Sequence, residues 1–183
     1  MNKQPASIWK SSLKYGISLG LISVVFSLII WSAKLIEELG LFGSGLLGIF
    51  SLVISFIILL IFTRMYRNKE LDGYISFNEA FQFGLLVVLV GTIITTIYNL
   101  LFHTVIDPGY TEHALAVMQQ KTLDFMEGAG LPDSQIEETL NRLDDTPTLL
   151  ESLRQGFVTS LISGVILSLI TAAIVKKNQT INQ

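Results

Sequence analysis

The sequence predicts an all-α polytopic membrane protein. Four transmembrane helices are expected, with an extracytoplasmic amphipathic helical hairpin between the third and the fourth. Three observations carry this. Half of the 183 residues are hydrophobic, 15% are charged, and the mean hydropathy is +0.58. A soluble domain carries about 25% charged residues. The apolar residues gather in four uncharged runs, each near the roughly 20 residues that cross a bilayer. One polar stretch of some length, residues 103–156, separates the last two runs.

The first run is YGISLGLISVVFSLIIWSA, Tyr15 to Ala33. Trp9, Tyr15 and Trp31 flank it as interfacial anchors. Its lysines, apolar stretch and Ser32-Ala33 end resemble a signal peptide, but its length and the span that follows predict an uncleaved helix. The second run is Leu41 to Phe62, and the short acidic segment KLIEELG should join it antiparallel to the first. The third is Ala80 to Phe102 and the fourth Phe157 to Val175. Backbone groups in hydrocarbon must be satisfied within the segment, so each run should be a helix. The chain is expected to form a single membrane domain.

Orientation follows from the basic residues. Lys3, Lys10, Lys14, Arg64, Arg67, Lys69, Lys176 and Lys177 fall on one side; Lys34, Lys121, Arg142 and Arg154 fall on the other. The positive-inside rule then puts both termini in the cytoplasm. Of the 15 acidic residues, all but Glu70, Asp72 and Glu79 lie outside, so the outer segment is strongly acidic.

That outer segment reads as helices. Pro108-Gly109 makes a turn, and Thr111 is the expected N-cap of a helix whose stripe is Leu115, Met118, Thr122 and Phe125. Gly128 and Gly130 should end it. Ser134 and Glu137 fit a capping box for a second helix, with Ile136, Leu140 and Leu143 on one face. Thr146-Pro147 should open a third, with Pro at its first helical position, running unbroken into the fourth span. The segment is expected to pack on itself and rest on the membrane surface, or else to offer its stripe to a partner.

YISFNEAFQFG at the third span, IDPGYTEH after it, EETLNRL, and a last span rich in small residues and ending in Lys-Lys form a recognisable set. The chain resembles a family of small four-span membrane proteins of Bacteroidota, classed as a domain of unknown function. The best-matching stretch runs from Tyr74 to Lys177. The resemblance implies a protein of the bacterial inner membrane and supplies no activity and no site residues.

Candidate sites come from the residues themselves. Ser76 and Glu79 fit the capping pattern S-x-x-E where the third span begins on the cytoplasmic side, with Asn78 and Gln82 beside them. Thr92, Thr96, Asn99 and His103 recur at spacings of four, three and four on one face of the third span, with Thr95 adjacent. Polar groups at membrane depth usually bond between helices, or they line a polar path. Gly16, Gly20, Ser23 and Ser27 form one small-residue face. Gly40, Gly43, Gly45 and Gly48, then Gly84 and Gly91, then Ser160, Gly164 and Ser168 form others. These suit close helix packing within the chain, or a homo-oligomer.

His103, Asp107, Glu112 and His113 are metal-ligand types, but their spacing fits no zinc pattern, and a turn divides them. No metal site, cofactor or catalytic residue is expected. The chain has no cysteine, which excludes disulfides and thiolate chemistry. No phosphate loop, nucleophile elbow or basic aromatic patch occurs, so no nucleic-acid partner is expected. The expected partners are the lipid bilayer and a membrane or periplasmic protein. The expected role is a non-enzymatic structural or accessory subunit acting through helix packing and the acidic hairpin. The second expectation is a small transporter or channel using the polar face of the third span.

Overall fold

The computed structural model describes residues 7–144 and 147–177, and their side chains except those of residues 40–42 and 142–144. The described chain is helical, with α1 Ile8–Ser32, α2 Leu35–Glu70, α3 Phe77–Leu101, α4 Tyr110–Gly128, α5 Asp133–Asp144 and α6 Leu149–Val175. A π-helical turn, Phe102–Ile106, prolongs α3. Four segments are long and apolar enough to cross a membrane: Ile8–Ser32, Gly43–Glu70, Phe77–Ile106 and Leu149–Val175. Their outward surfaces expose Ile49, Ile97, Ile162 and many more large apolar side chains. Such continuous apolar surface suits lipid rather than water. The end of the bundle that carries Ile8, Lys177 and the α2–α3 connection is the terminal face. The end that carries α4 and α5 is the loop face.

Several helix ends differ from expectation. KLIEELG is not a turn: only Ala33 and Lys34 separate α1 from α2, and Glu37 and Glu38 lie in the first turn of α2. Lys34 makes the reversal with φ of 51°. The carboxylates gain there from the positive end of the helix dipole. Thr111 is not the N-cap of α4, since the turn at Asp107–Tyr110 lets the helix start two residues earlier, behind Gly109. Ser134 falls inside the first turn of α5, which begins at Asp133. Thr148, not Pro147, opens α6. Its hydroxyl accepts from the Glu151 N–H at 3.3 Å while Glu151 accepts from the Thr148 N–H at 2.9 Å. Thr146 lies outside the described residues. As expected, α6 runs unbroken through the fourth span.

The stripe of α4 is rotated from its expected position. Ala114, Thr122 and Met126 are buried, whereas Phe125 is exposed. Its C-terminus closes with the Leu131 N–H bonding the Met126 carbonyl and Gly130 at φ of 69°, a conformation that suits glycine. Ile136 is the buried residue of α5, and the side chain of Leu143 lies outside those described.

Inside the bundle α3 is the central helix, with α1 and α6 packed along it. Lipid tails are as apolar as leucine, so association here depends on close packing. Glycines provide it. A Cβ at Gly16 would lie 2.5 Å from Val90 Cβ, and one at Gly20 would lie 2.8 Å from Ile94 Cβ. On the other side, Gly84 abuts Ser168 and Gly164 abuts Val88. These pairings make α1 parallel and α6 antiparallel to α3.

Helix α2 closes the bundle less completely. Near the terminal face it is well held. Leu59, Thr63 and Tyr66 are buried, and Tyr66 stacks on Phe83 with centroids 4.2 Å apart. Tyr15 touches both Phe62 and Phe83. Ser11 donates to the Glu70 carboxylate, and Arg67 donates to the Val175 carbonyl at 2.9 Å. Ile75 and Lys177 exchange two backbone hydrogen bonds. Nearer the loop face, Gly45 and Gly48 meet no neighbour within 4 Å.

Substituting Gly164 with leucine should push α6 off α3 and cost about 1–3 kcal/mol. Gly45→Leu should stay within about 0.5 kcal/mol of the parent. Chemical unfolding in mixed micelles checks both. Equal losses in the two variants would remove the close-packing account. Ser76→Ala deletes the cap of α3 and should cost about 1 kcal/mol in the same assay.

Candidate functional site

The departure of α2 from the other three helices leaves a cleft of about 530 Å³ in the loop-face half of the bundle. All four long helices line it. Leu19, Ser23 and Ser27 come from α1, one turn apart. Gly48, Leu52, Ser55 and Leu59 come from α2. Val88, Gly91, Thr92, Thr95, Tyr98 and Asn99 come from α3. Thr159, Ser160, Ser163, Gly164 and Leu167 come from α6.

Depth in the cleft follows residue number along each helix. Leu19, Leu59, Val88 and Leu167 lie farthest from the loop face and make an apolar floor. Below the floor sit the packed rings of Tyr15, Phe62, Tyr66 and Phe83. Above it, ten of the eighteen lining residues are polar, nine of them hydroxyl-bearing and the tenth Asn99, and none is charged. The volume falls in the range of small-molecule sites, roughly 300–1,000 Å³.

Some of these hydroxyls are already engaged. Ser23 donates to the Leu19 carbonyl at 3.0 Å, and Thr95 donates to the Thr92 carbonyl at 3.0 Å. Bonding back along the helix spends the proton and leaves the oxygen only its lone pairs for a further partner. Tyr98 differs. Its hydroxyl is buried and has no hydrogen-bond partner among the described residues. A phenol cannot reach its own helix backbone as a serine does, so this group has no local way to satisfy itself.

The polar face expected on the third span divides here. Thr92 and Asn99 line the cleft, and so does Thr95. Thr96 does not; its hydroxyl bonds the Thr92 carbonyl at 2.8 Å. His103 does not either. It lies in the π-turn, with Nδ1 3.2 Å from the Thr111 hydroxyl. The cleft face of α3 therefore runs through 88, 91–92, 95 and 98–99, and a helix turned that way points 96 and 103 elsewhere. Ser23, Ser27, Ser160 and Gly164 had the spacing of packing faces, yet they also line the cleft. Tyr98 and Ser55 gave no periodic signal at all. A face shared by four helices depends on their mutual rotation, which no single run reveals. Ser76 and Glu79 stand apart from the cleft, at the terminal face. They form a reciprocal cap with N–H···O distances of 3.0 and 3.3 Å.

The loop-face rim is aromatic and tied by polar bonds. Phe102 is buried and packs edge-on against Trp31 and Tyr110, with Tyr98 tilted beside it. The Trp31 indole donates to Asp107 at 3.1 Å. Lys121 on α4 donates to the Glu38 carbonyl at 2.6 Å, and His113 lies 3.5 Å from Glu37. Burial holds the Tyr110 phenol above its ordinary pKa, and the Glu37 and Asp107 carboxylates push it the same way. His103, Asp107 and His113 thus face different partners. Among the described residues no three histidine, aspartate or glutamate side chains gather as a metal site.

No curated protein and no solved structure matches the chain. The model of one family, described as "Protein of unknown function (DUF4199)", matches residues 14–177, nearly the whole chain, and the chain belongs to that family.

Proposed function

We propose that this protein is a small-solute binder of the membrane, acting as a minor transporter or channel without enzymatic chemistry. The observation that carries the reading is the cleft itself: hydroxyl-bearing residues from four apolar helices line one shared space. Scattered serines would be unremarkable in spans, where they bond back to their own helices. Ten polar side chains converging on about 530 Å³ are a different matter. Isolated polar groups at membrane depth are disfavoured unless they face a partner or water.

The setting we propose is the inner membrane of a Bacteroidota bacterium. Both termini lie in the cytoplasm, and the cleft opens to the outside. Eight of the twelve Lys and Arg residues sit at the terminal face or in the adjoining tails, which supports this orientation. Helices α4 and α5 then form the acidic extracytoplasmic hairpin.

A second reading, a structural or accessory subunit, has its own support. Phe125 is 55% exposed and Leu131 36% exposed on that acidic segment, where a protein partner would find apolar anchors. Gly45, open on α2, is the place to seek self-association through small residues.

The chain has no cysteine, so single cysteines report without background. Glu127→Cys should react with a membrane-impermeant thiol reagent added outside intact cells; reaction only after lysis would reverse the orientation. Ser160→Cys and Thr95→Cys should react with a charged methanethiosulfonate far faster than lipid-facing Ile162→Cys. Equal, negligible rates at all three would mean that the cleft holds no water, and the solute reading would fall. For the accessory role, crosslinking in native membranes should capture one partner that Phe125→Ser releases. The same yield from both chains would count against it.

A further inference from the structure

We infer that the cleft takes an uncharged amphiphile from the bilayer, and that this ligand enters sideways between α2 and α6. This rests on the reading of the cleft as a binding site for a small molecule, and gives its ligand class and its way in.

The seams between the four helices are not alike. Gly16 and Gly20 hold α1 against Val90 and Ile94, and Gly164 holds α6 against Val88, so α3 is closely joined on both sides. Between α1 and α2 the loop-face half is bridged by Phe26 and Phe50, with ring centroids 6.3 Å apart, and Ala33 and Lys34 alone link the two helices. Helix α2 reaches α6 near the terminal face, where Arg67 donates to the Val175 carbonyl at 2.9 Å. Nearer the loop face the seam between these two is open. A Cβ at Gly48 would meet nothing within 4 Å. Leu52 lines the cleft and is still 47% exposed, and Gly48, Thr159 and Ser160 are exposed as well.

An opening at this depth faces lipid. Gly48 and Leu52 belong to the membrane-crossing segment Gly43–Glu70, and Thr159 and Ser160 to Leu149–Val175. The side chains beside them, Ile49 and Val53 on α2 and Val158 and Ile162 on α6, are exposed and apolar. Acyl chains lie against such a seam at all times, so a ligand that carries one need not cross water to reach the cleft.

The polarity of the cleft has the same order as a lipid standing in the leaflet nearest the loop face. The floor of Leu19, Leu59, Val88 and Leu167 lies toward the middle of the spans. Asn99, Thr159 and Ser160 lie toward the loop face and are exposed. From Val88 to Asn99 a helix rises about 16 Å, close to half of the roughly 30 Å hydrocarbon core. A chain of that length reaches the floor while its head stays level with the polar residues. The head should carry no charge. None of the eighteen lining residues is charged at neutral pH. A phosphate drawn into this space would lose water without meeting a counter-charge, a loss that nothing there repays.

The test is photolabelling of the full-length chain in phosphatidylcholine liposomes. The probe is a monoacylglycerol whose myristoyl chain ends in a diazirine, with the matching lysophosphatidate as its charged counterpart. Labelled residues are read by mass spectrometry. The monoacylglycerol should label the floor at Leu59 and Leu167. Excess unlabelled monoacylglycerol should compete, and glycerol should not. Gly48→Trp places a ring in the seam and should lower floor labelling roughly tenfold. Gly45→Trp is the control, since Gly45 is equally open but does not line the cleft, and its labelling should match the parent. Both rings enter open space, so both variants should unfold in micelles as the parent does. Three results would overturn the inference: label confined to outward residues such as Ile162, equal floor labelling by the lysophosphatidate, or floor labelling unchanged in the Gly48→Trp chain. Ser160→Cys tests the underlying reading separately. If it stays inert to the charged methanethiosulfonate, the binding reading itself fails. If it reacts, and glycerol slows the reaction while the floor stays unlabelled, the site takes a water-borne solute and only the present inference falls.

Discussion

The close approach of α3 to the helices on either side of it is the constraint on which the bundle depends. Inside lipid, leucine gains nothing by leaving one apolar surface for another, so helices associate where their surfaces fit at short range. Gly16 and Gly20 seat α1 on Val90 and Ile94 of α3, Gly84 of α3 receives Ser168 of α6, and Gly164 of α6 receives Val88 of α3. Side chains larger than hydrogen at these four places would separate the backbones. The three helices form a tight slab, and α2 has to make its contacts on what remains. Near the terminal face it finds aromatic and polar partners. Nearer the loop face a Cβ at Gly45 or Gly48 would meet no neighbour within 4 Å. The cleft is the space that this unequal packing leaves.

The two ends of the bundle are held by different physics. At the terminal face the ties are aromatic stacking, a serine–carboxylate bond, an arginine on the last carbonyl of α6, and a two-bond bridge between Ile75 and Lys177. At the loop face they are indole to carboxylate, lysine to carbonyl, and histidine beside glutamate, gathered around the buried Phe102 ring. The first set lies next to packed side chains of large volume. The second set lies among exposed polar groups, where single ion pairs contribute little. The cleft therefore has a firm base and a rim of modest strength.

Much of the frame was legible in the sequence. Four uncharged runs of near-membrane length announce four spans, because hydrocarbon leaves the backbone no alternative to helix. The Ser76–Glu79 cap was legible because its signature is local. The Gly16–Gly20 pair was legible as a packing face because that spacing has a steric meaning. Helix ends were harder. KLIEELG has the composition of a turn, yet dipole stabilisation of Glu37 and Glu38 draws the segment into α2. Only half of the polar face was legible on α3. Spacings of four, three and four linked Thr92, Thr96, Asn99 and His103, while the cleft takes Thr92, Thr95, Tyr98 and Asn99. Serines on α1, α2 and α6 carried no sign of a shared destination, because one helix's sequence says nothing of how its neighbours are turned.

Helix α2 can be considered as a lever. It is continuous from Leu35 to Glu70, is held where Tyr66 stacks on Phe83, and meets α4 at its other end through Glu37 and Glu38. Along the helix Glu38 lies about 42 Å from Tyr66, and Ser55 about 17 Å. On a rigid helix fixed at Tyr66, any sideways displacement at Glu38 corresponds to roughly two-fifths as much at Ser55, in the wall of the cleft. The contacts of α4 and the wall of the cleft are thus two stations on one continuous helix.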